Sequence, residues 1–355
     1  MTTDRHGPMA LFSKRAPQRT PLDGVDVVLA DLDGVVYAGP GALPHAVESL
    51  NRAAAEGRRL GYITNNASRT DATVAAHLVE LGLHTRPDEV VTSPQAAMRL
   101  LAQKVAPGST VLVVGGEGLV IEVEKAGFVV TRSAEDDPAA VVQGFAPDVS
   151  WTQLAEAAFA LQLPEDEGGI PWIATNTDWT IPQARGIAPG NGTLVSAVHT
   201  AVGRLATVAG KPEAPIFHEA VARFGATSPL FIGDRLDTDI LGANRAGVPS
   251  VLVLTGIDRP KHVLAAPVDS RPTYIVSDLR QLFEPYPVAR VKGDTVWVRD
   301  AAVRIDGADV QIVAEGEPID LLRAAAKAIW DTGRQIFGFR VPERLYADPF
   351  RAARS

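Results

Sequence analysis

The 355-residue chain contains no cysteine. That absence excludes disulfides, thiol nucleophiles, and zinc or iron-sulfur sites ligated by cysteine, and it fits a reducing cytoplasm. Clustered positive charge is also lacking. Lys and Arg number 34 against 42 Asp and Glu, the net charge is −8, and no basic run exceeds Arg58-Arg59. Bulk attraction to nucleic acid or to an anionic membrane is therefore not expected, and a small-molecule partner fits better. Long apolar runs are missing too. The longest, such as Val248 to Leu254, are strand-sized and far short of the roughly 20 residues that cross a bilayer. Met1 to Pro21 mixes Arg, Lys, Pro and polar residues without the apolar stretch of a secretory signal, so residues 1–23 read as a mobile arm. The seven histidines are dispersed without metal-ligand spacing.

A hydrophobic content of 46% is ample for more than one core. From Asp26 onward, short β-branched runs alternate with amphipathic stretches, which is the pattern of a doubly wound α/β fold with a parallel sheet. Val25 to Ala30, Leu60 to Thr64 and Glu89 to Thr92 read as strands, with helices at Leu43 to Glu56, Asp71 to Leu81 and from Ser93. A second set of units, opening with the strand Thr110 to Val114, reads as an inserted α/β domain over residues 108–205. The first pattern then resumes with a strand at Ala206 to Ala209, so residues 24–107 and 206–284 form the expected core. Residues 285–355 read as an appended α+β extension.

Four features at expected strand ends carry chemistry. The buried run Val27 to Ala30 delivers Asp31 and Asp33, two residues apart, followed by the turn glycine Gly34. In an open parallel sheet that edge is where ligands bind. One carboxylate can attack phosphorus while the other donates a proton to the leaving oxygen. Alone, such a pair reads equally well as a capping or turn-stabilising motif. The second feature, Thr64-Asn65-Asn66, offers a hydroxyl and consecutive amides to a phosphate oxygen. Next, Lys211 follows a strand directly, placed to balance phosphoryl charge. Finally, Gly233-Asp234 with Asp237 and Asp239 supplies the carboxylates expected of a Mg2+ site. Asn176 and Asp178, after another expected strand, either face a substrate or form a turn. Gly115-Gly116-Glu117-Gly118 fails the dinucleotide pattern at Ile121 and reads as a tight turn.

Taken together, Asp31-x-Asp33, Thr64, Lys211 and Gly233-Asp234-x4-Asp239 resemble the haloacid dehalogenase-like phosphatase superfamily over about residues 24 to 284. The resemblance implies that Asp31 is nucleophile and metal ligand and that Asp33 is general acid and base, lending its backbone carbonyl to the metal. It implies too that Thr64 orients the phosphoryl group, Lys211 balances charge, Asp234 ligates magnesium, and Asp239 supports the metal's water shell or Lys211. Asp33, where a Thr or Ser would suggest an ion pump, favours a phosphatase. Thr64 follows Asp31 by 33 residues and Lys211 follows Thr64 by 147, so a cap domain fits only in the second gap. That spacing and Ala174-Thr175-Asn176-x-Asp178 resemble the NagD-like group. The extension further resembles that of bacterial glycerol 3-phosphate phosphatases. This implies glycerol 3-phosphate as substrate, with phosphoglycolate or pyridoxal phosphate as alternatives. From another class, a catalytically silent binding or regulatory protein on the same fold is the competing expectation, and a homo-oligomer is possible. A silent relative should have lost one of Asp31, Asp33, Lys211 or Asp234; all four are present.

Overall fold

The structure is a computed structural model that describes residues 19–67, 69–183 and 185–347. Its central sheet has six strands, all parallel, in the spatial order Tyr274–Val276, Ser250–Val253, Pro229–Gly233, Val27–Ala30, Arg59–Thr64, Val90–Thr92. Numbered along the chain this is the doubly wound order 3-2-1-4-5-6, whose direction reverses between the first and fourth strands. The strands are apolar on both faces because helices cover both. Val28, Ala30, Ile232 and Val251 pack on one side with Leu50 and Leu78, while Val27, Leu29 and Phe231 pack on the other with Leu101 and Phe217.

A second parallel sheet, inserted between the third and fourth core strands, runs Thr207–Val208, Trp172–Ala174, Ala140–Gln143, Thr110–Val114, Val129–Thr131. The strand expected at Ala206 to Ala209 as the resumption of the core pairs instead with Trp172–Ala174 at this sheet's edge. Two residues are too few to show a face pattern, so the sequence could not say which sheet they join. The two sheets are not merely tethered. Val111, Val113 and Ile173 share one buried cluster with Val27, Leu29 and Ile63, bridged by the helix Ser93–Leu101. That helix starts at a capping box, with the Thr92 hydroxyl accepting from the Gln95 amide and the Gln95 side chain from the Thr92 amide.

The C-terminal region is a four-stranded antiparallel sheet, Arg290–Lys292, Thr295–Val298, Ala301–Asp306 and Asp309–Ala314, backed by the helix Pro318–Trp330. It joins the core through a shared cluster that includes Ile240, Leu252, Val263, Val303, Leu322 and Ile329. Arg323 is buried at this junction and donates twice to the Ile275 carbonyl, and the Ile275 amide donates to the Tyr286 hydroxyl. The outward-facing polar groups of the core's edge strand are thereby closed.

Of the arm expected at residues 1–23, residues 1–18 lie outside the described residues. Within residues 19–23, Pro21 and Leu22 are buried, and the Leu22 carbonyl accepts from Arg58. No helix among the described residues is long and apolar enough to cross a membrane.

Candidate active site

Ladder pairing continues one residue past the first strand, where the Asp31 amide donates to the Ile232 carbonyl at 2.8 Å. Asp31 and Asp234 thus emerge side by side from the two strands that flank the reversal of strand order, the crevice where open α/β sheets bind ligands. Beyond Asp31 the chain turns sharply. Gly34 adopts φ 83°, and a Cβ there would lie 2.3 Å from an Asp234 carboxylate oxygen. A glycine is therefore required both by the turn and by the approach of Asp234. Gly256 is tighter still, with a Cβ falling 1.8 Å from Asp234 Oδ2, which accepts from the Ile257 amide.

Asp31, Asp234 and Asp239 are buried and present carboxylate oxygens that all lie within 4.8 Å of one another, the one such acidic cluster among the described residues. A single cation sits among them. Lys211 Nζ lies 2.7 Å from Asp31 Oδ1 and 2.7 Å from Asp239 Oδ1. Three carboxylates against one ammonium leave excess negative charge in a buried site, which displaces the titration of its groups. Burial, then the Asp239 charge, raises Asp31 from 3.8 to about 7 against the pull of Lys211. Asp234 is raised well above its ordinary value by burial and by Asp239 and Asp31. Although burial disfavours its charge, Lys211 is held above its ordinary value by Asp239 and Asp31. A divalent cation would relieve this imbalance, and hard carboxylate oxygens suit magnesium. Asp239 is the least available ligand, because Lys211 takes Oδ1 and the Asp234 and Arg235 amides take Oδ2.

Asp33 stands apart from the cluster, exposed in the cleft, so the structure does not bring its carboxyl together with the other three. Enclosure by the cleft walls still raises it, opposed by the positive charges of Lys211, Arg69 and His77. Arg69 and His77 were not singled out in the sequence, where an isolated cation carries no signal. Thr64 is buried, and its hydroxyl oxygen accepts from the Asn66 amide at 3.1 Å; Asn66 itself is exposed. Asn176 resolves toward its turn-forming reading. Its side-chain oxygen accepts from the Asp178 amide, its amide donates to the Asn65 carbonyl, and its own carbonyl accepts from Asn191. Asp178 accepts from Asn65 at 3.1 Å and is raised by burial.

This combination of doubly wound core, inserted second sheet and aspartate-lysine cluster defines a hydrolase class. Residues 28–129 match the haloacid dehalogenase-like hydrolase family and residues 208–282 a HAD-hydrolase-like family. The chain is 44% identical to the D-glycerol 3-phosphate phosphatase of Mycobacterium tuberculosis over 86% of each sequence. It belongs to the haloacid dehalogenase-like hydrolases. Human chronophin is 36% identical over 76% of this chain and 96% of its own. The crystal structure of glycerol phosphate phosphatase from Mycobacterium tuberculosis in complex with magnesium superposes with a TM-score of 0.82 at 40% identity, covering 91% of this chain and 94% of that one. NagD from E. coli, at 30% identity and a TM-score of 0.64, covers 72% of this chain and 97% of its own.

Proposed function

We propose that the protein is a magnesium-dependent phosphatase that hydrolyses glycerol 3-phosphate to glycerol and phosphate through a phospho-aspartyl intermediate. The observation that carries the reading is the Asp31-Lys211-Asp239 chain of contacts at 2.7 Å beside Asp234, set at the reversal of strand order. The similarity to the mycobacterial phosphatase and to its magnesium complex supports the substrate and the metal.

Asp31 attacks phosphorus, forming an aspartyl phosphate as the ester oxygen departs, and water then releases inorganic phosphate and regenerates the carboxylate. Asp33, outside the carboxylate cluster and inclined by its surroundings to hold a proton, protonates the departing alkoxide and later removes a proton from the attacking water. Asp31, the Asp33 carbonyl and Asp234 would hold the magnesium ion, which supplies Lewis-acid stabilisation of the phosphoryl oxygens. Lys211 neutralises charge on Asp31 and the phosphoryl group, and Asp239, with both oxygens engaged, fixes the lysine. Thr64 and the amides after it take a phosphoryl oxygen. Residues 24–107 and 209–284 act as the catalytic core, 108–208, which include the edge strand Thr207–Val208, as the cap and 285–355 as an extension. Lack of cysteine and the acidic balance fit a cytoplasmic enzyme acting on small phosphorylated metabolites, apart from nucleic acid or membrane.

The test is phosphate release by the purified protein, with magnesium or with chelator, from glycerol 3-phosphate, phosphoglycolate, pyridoxal phosphate and a generic aryl phosphate. Preference for glycerol 3-phosphate that vanishes with chelator is the expected result. Preference for another ester moves the substrate, and no release from any ester overturns the phosphatase reading in favour of a silent binding protein.

A further inference from the structure

Asn65 lies at the end of the second core strand, in the loop that the sequence offers to a phosphate, yet its side chain is fully committed elsewhere. Its Oδ1 accepts from the Lys211 amide at 2.8 Å, and its Nδ2 donates to the Lys211 carbonyl at 3.0 Å. The remaining Nδ2 proton goes to Asp178, with oxygens at 3.1 and 3.3 Å. A primary amide has two donor protons, so none is left for a substrate phosphate. The orientation is dictated by its partners, since flipping the amide would set NH2 against an N–H and oxygen against a carbonyl. The loop itself is pinned from both sides: the Asn65 carbonyl accepts from Ser93 Oγ and from Asn176 Nδ2, each at 2.8 Å. Gly210 permits the approach, since a Cβ there would lie 2.6 Å from Asn65 Oδ1 and 2.6 Å from the Thr175 carbonyl.

We infer that the Asn65 side chain is a positioning group, not a phosphate ligand: it clamps the Lys211 backbone, so that Nζ is held between Asp31 and Asp239, and ties that clamp to Asp178 on the inserted domain. The inference rests on the proposed phosphatase chemistry for its kinetic readout but not for its structural one. Lys211 has a long, flexible stem, and two hydrogen bonds to its own backbone remove the freedom that would otherwise displace its ammonium by an ångström or more. Misplacement on that scale costs on the order of 10²-fold in rate. A phosphate ligand behaves differently, because its loss weakens every complex that contains phosphate, including the one with product.

The experiment combines kinetics, product inhibition and structure. In Asn65→Ala, kcat should fall roughly 10- to 100-fold while inhibition by inorganic phosphate weakens by much less, because Thr64 and the backbone amides remain to hold the phosphate. Its crystal structure should show Lys211 Nζ away from Asp31 and Asp239. Inhibition by phosphate that weakens in step with kcat, with Lys211 unmoved, overturns the assignment. A near-isosteric pair guards against simple misfolding. Asn65→Asp keeps the acceptor for the Lys211 amide but loses both donors and faces the Asp178 carboxylate, so it should be as slow as the alanine variant. Adding Asp178→Asn to it reverses donor and acceptor across the same contact and should recover about threefold or more of kcat. No recovery overturns the tie to Asp178, because charge opposite Asp178 would then not be what matters, and leaves the position of Lys211 in Asn65→Ala to decide the clamp. If the wild-type protein releases phosphate from no ester, the functional reading fails, whereas the position of Lys211 in Asn65→Ala still decides the clamp.

Discussion

At the scale of single residues, the site combines groups that carry chemistry with groups that make room for them. Asp31→Asn should abolish phosphate release, and Asp33→Asn should cost about 10² to 10⁴-fold, the range of general acid-base catalysis, in a magnesium-supplemented assay. Wild-type rates in purified Asp31→Asn would refute the mechanism. The space-making residues are equally testable. A methyl group at Gly256 would occupy the Asp234 carboxylate, so Gly256→Ala should raise the magnesium concentration needed for half-maximal activity by about tenfold or more, read from a magnesium titration. Titration of Asp31 gives a third expectation. Its folded value, about 7, lies above the ordinary 3.8, so its contribution to stability is present in full below about pH 4 and is lost as pH rises through 7. The chelator-treated protein should therefore melt lower at pH 8 than at pH 5.5, and magnesium should raise the melting temperature more at pH 8. Equal magnesium effects at both pH values would contradict the burial of these charges. Asp31, Asp33 and Asp234 were legible in the sequence because each follows a buried apolar strand, whereas Lys211 was legible as a lysine after a short run whose sheet the sequence did not reveal. The side-chain partners of Asn65 were not legible, since its bonds reach Lys211 and Asp178, 146 and 113 residues away.

Among secondary-structure elements, the buried parallel strands were the most readable and the short exposed ones the least. Val27–Ala30 and Thr110–Val114 are continuous β-branched or apolar runs, and Ala140–Gln143 is one up to its last residue, as strands covered on both faces require. Val129–Thr131 is three residues at a sheet edge, and the hairpin Thr180–Gln183 with Gly186–Pro189 contains two prolines and a glycine. Neither supplies enough periods for alternation to register. Ala301–Asp306 was missed because it opens on Ala-Ala, a pair with little strand preference, and becomes a strand through its neighbours on both sides. Edge closure by Arg323 is likewise invisible locally, since its partner Ile275 is 48 residues away. Arg323→Met should destabilise the protein by about 1 to 3 kcal/mol by leaving the buried Ile275 carbonyl without its donor and Asp320 with Arg299 alone as its partner, measured by denaturant unfolding. A loss below about 0.5 kcal/mol would mean that the extension does not seal that edge.

Considered as a whole molecule, the three regions are joined by shared apolar clusters and not by linkers. One cluster spans the core and inserted sheets, and another spans the core and the C-terminal sheet. Cooperative unfolding is the expected consequence: calorimetry should give a single transition, and removal of residues 285–355 should expose Leu252, Val263 and Ile275 and lower solubility. Separate transitions would show that the clusters do not couple the regions. The short strand Thr207–Val208 has a consequence of a different kind. Among the described residues it pairs with the inserted sheet, and the chain runs from it through Ala209 and Gly210 directly to Lys211. The lysine to which the proposed mechanism assigns charge balance is thus hung from the inserted domain, the one proposed as the cap. Exchanging that domain between relatives would transplant part of the reaction machinery along with the specificity. Rate and selectivity in this architecture are consequently inherited together, and a chimera that keeps one while replacing the other must leave residues 206–211 paired with a strand equivalent to Trp172–Ala174.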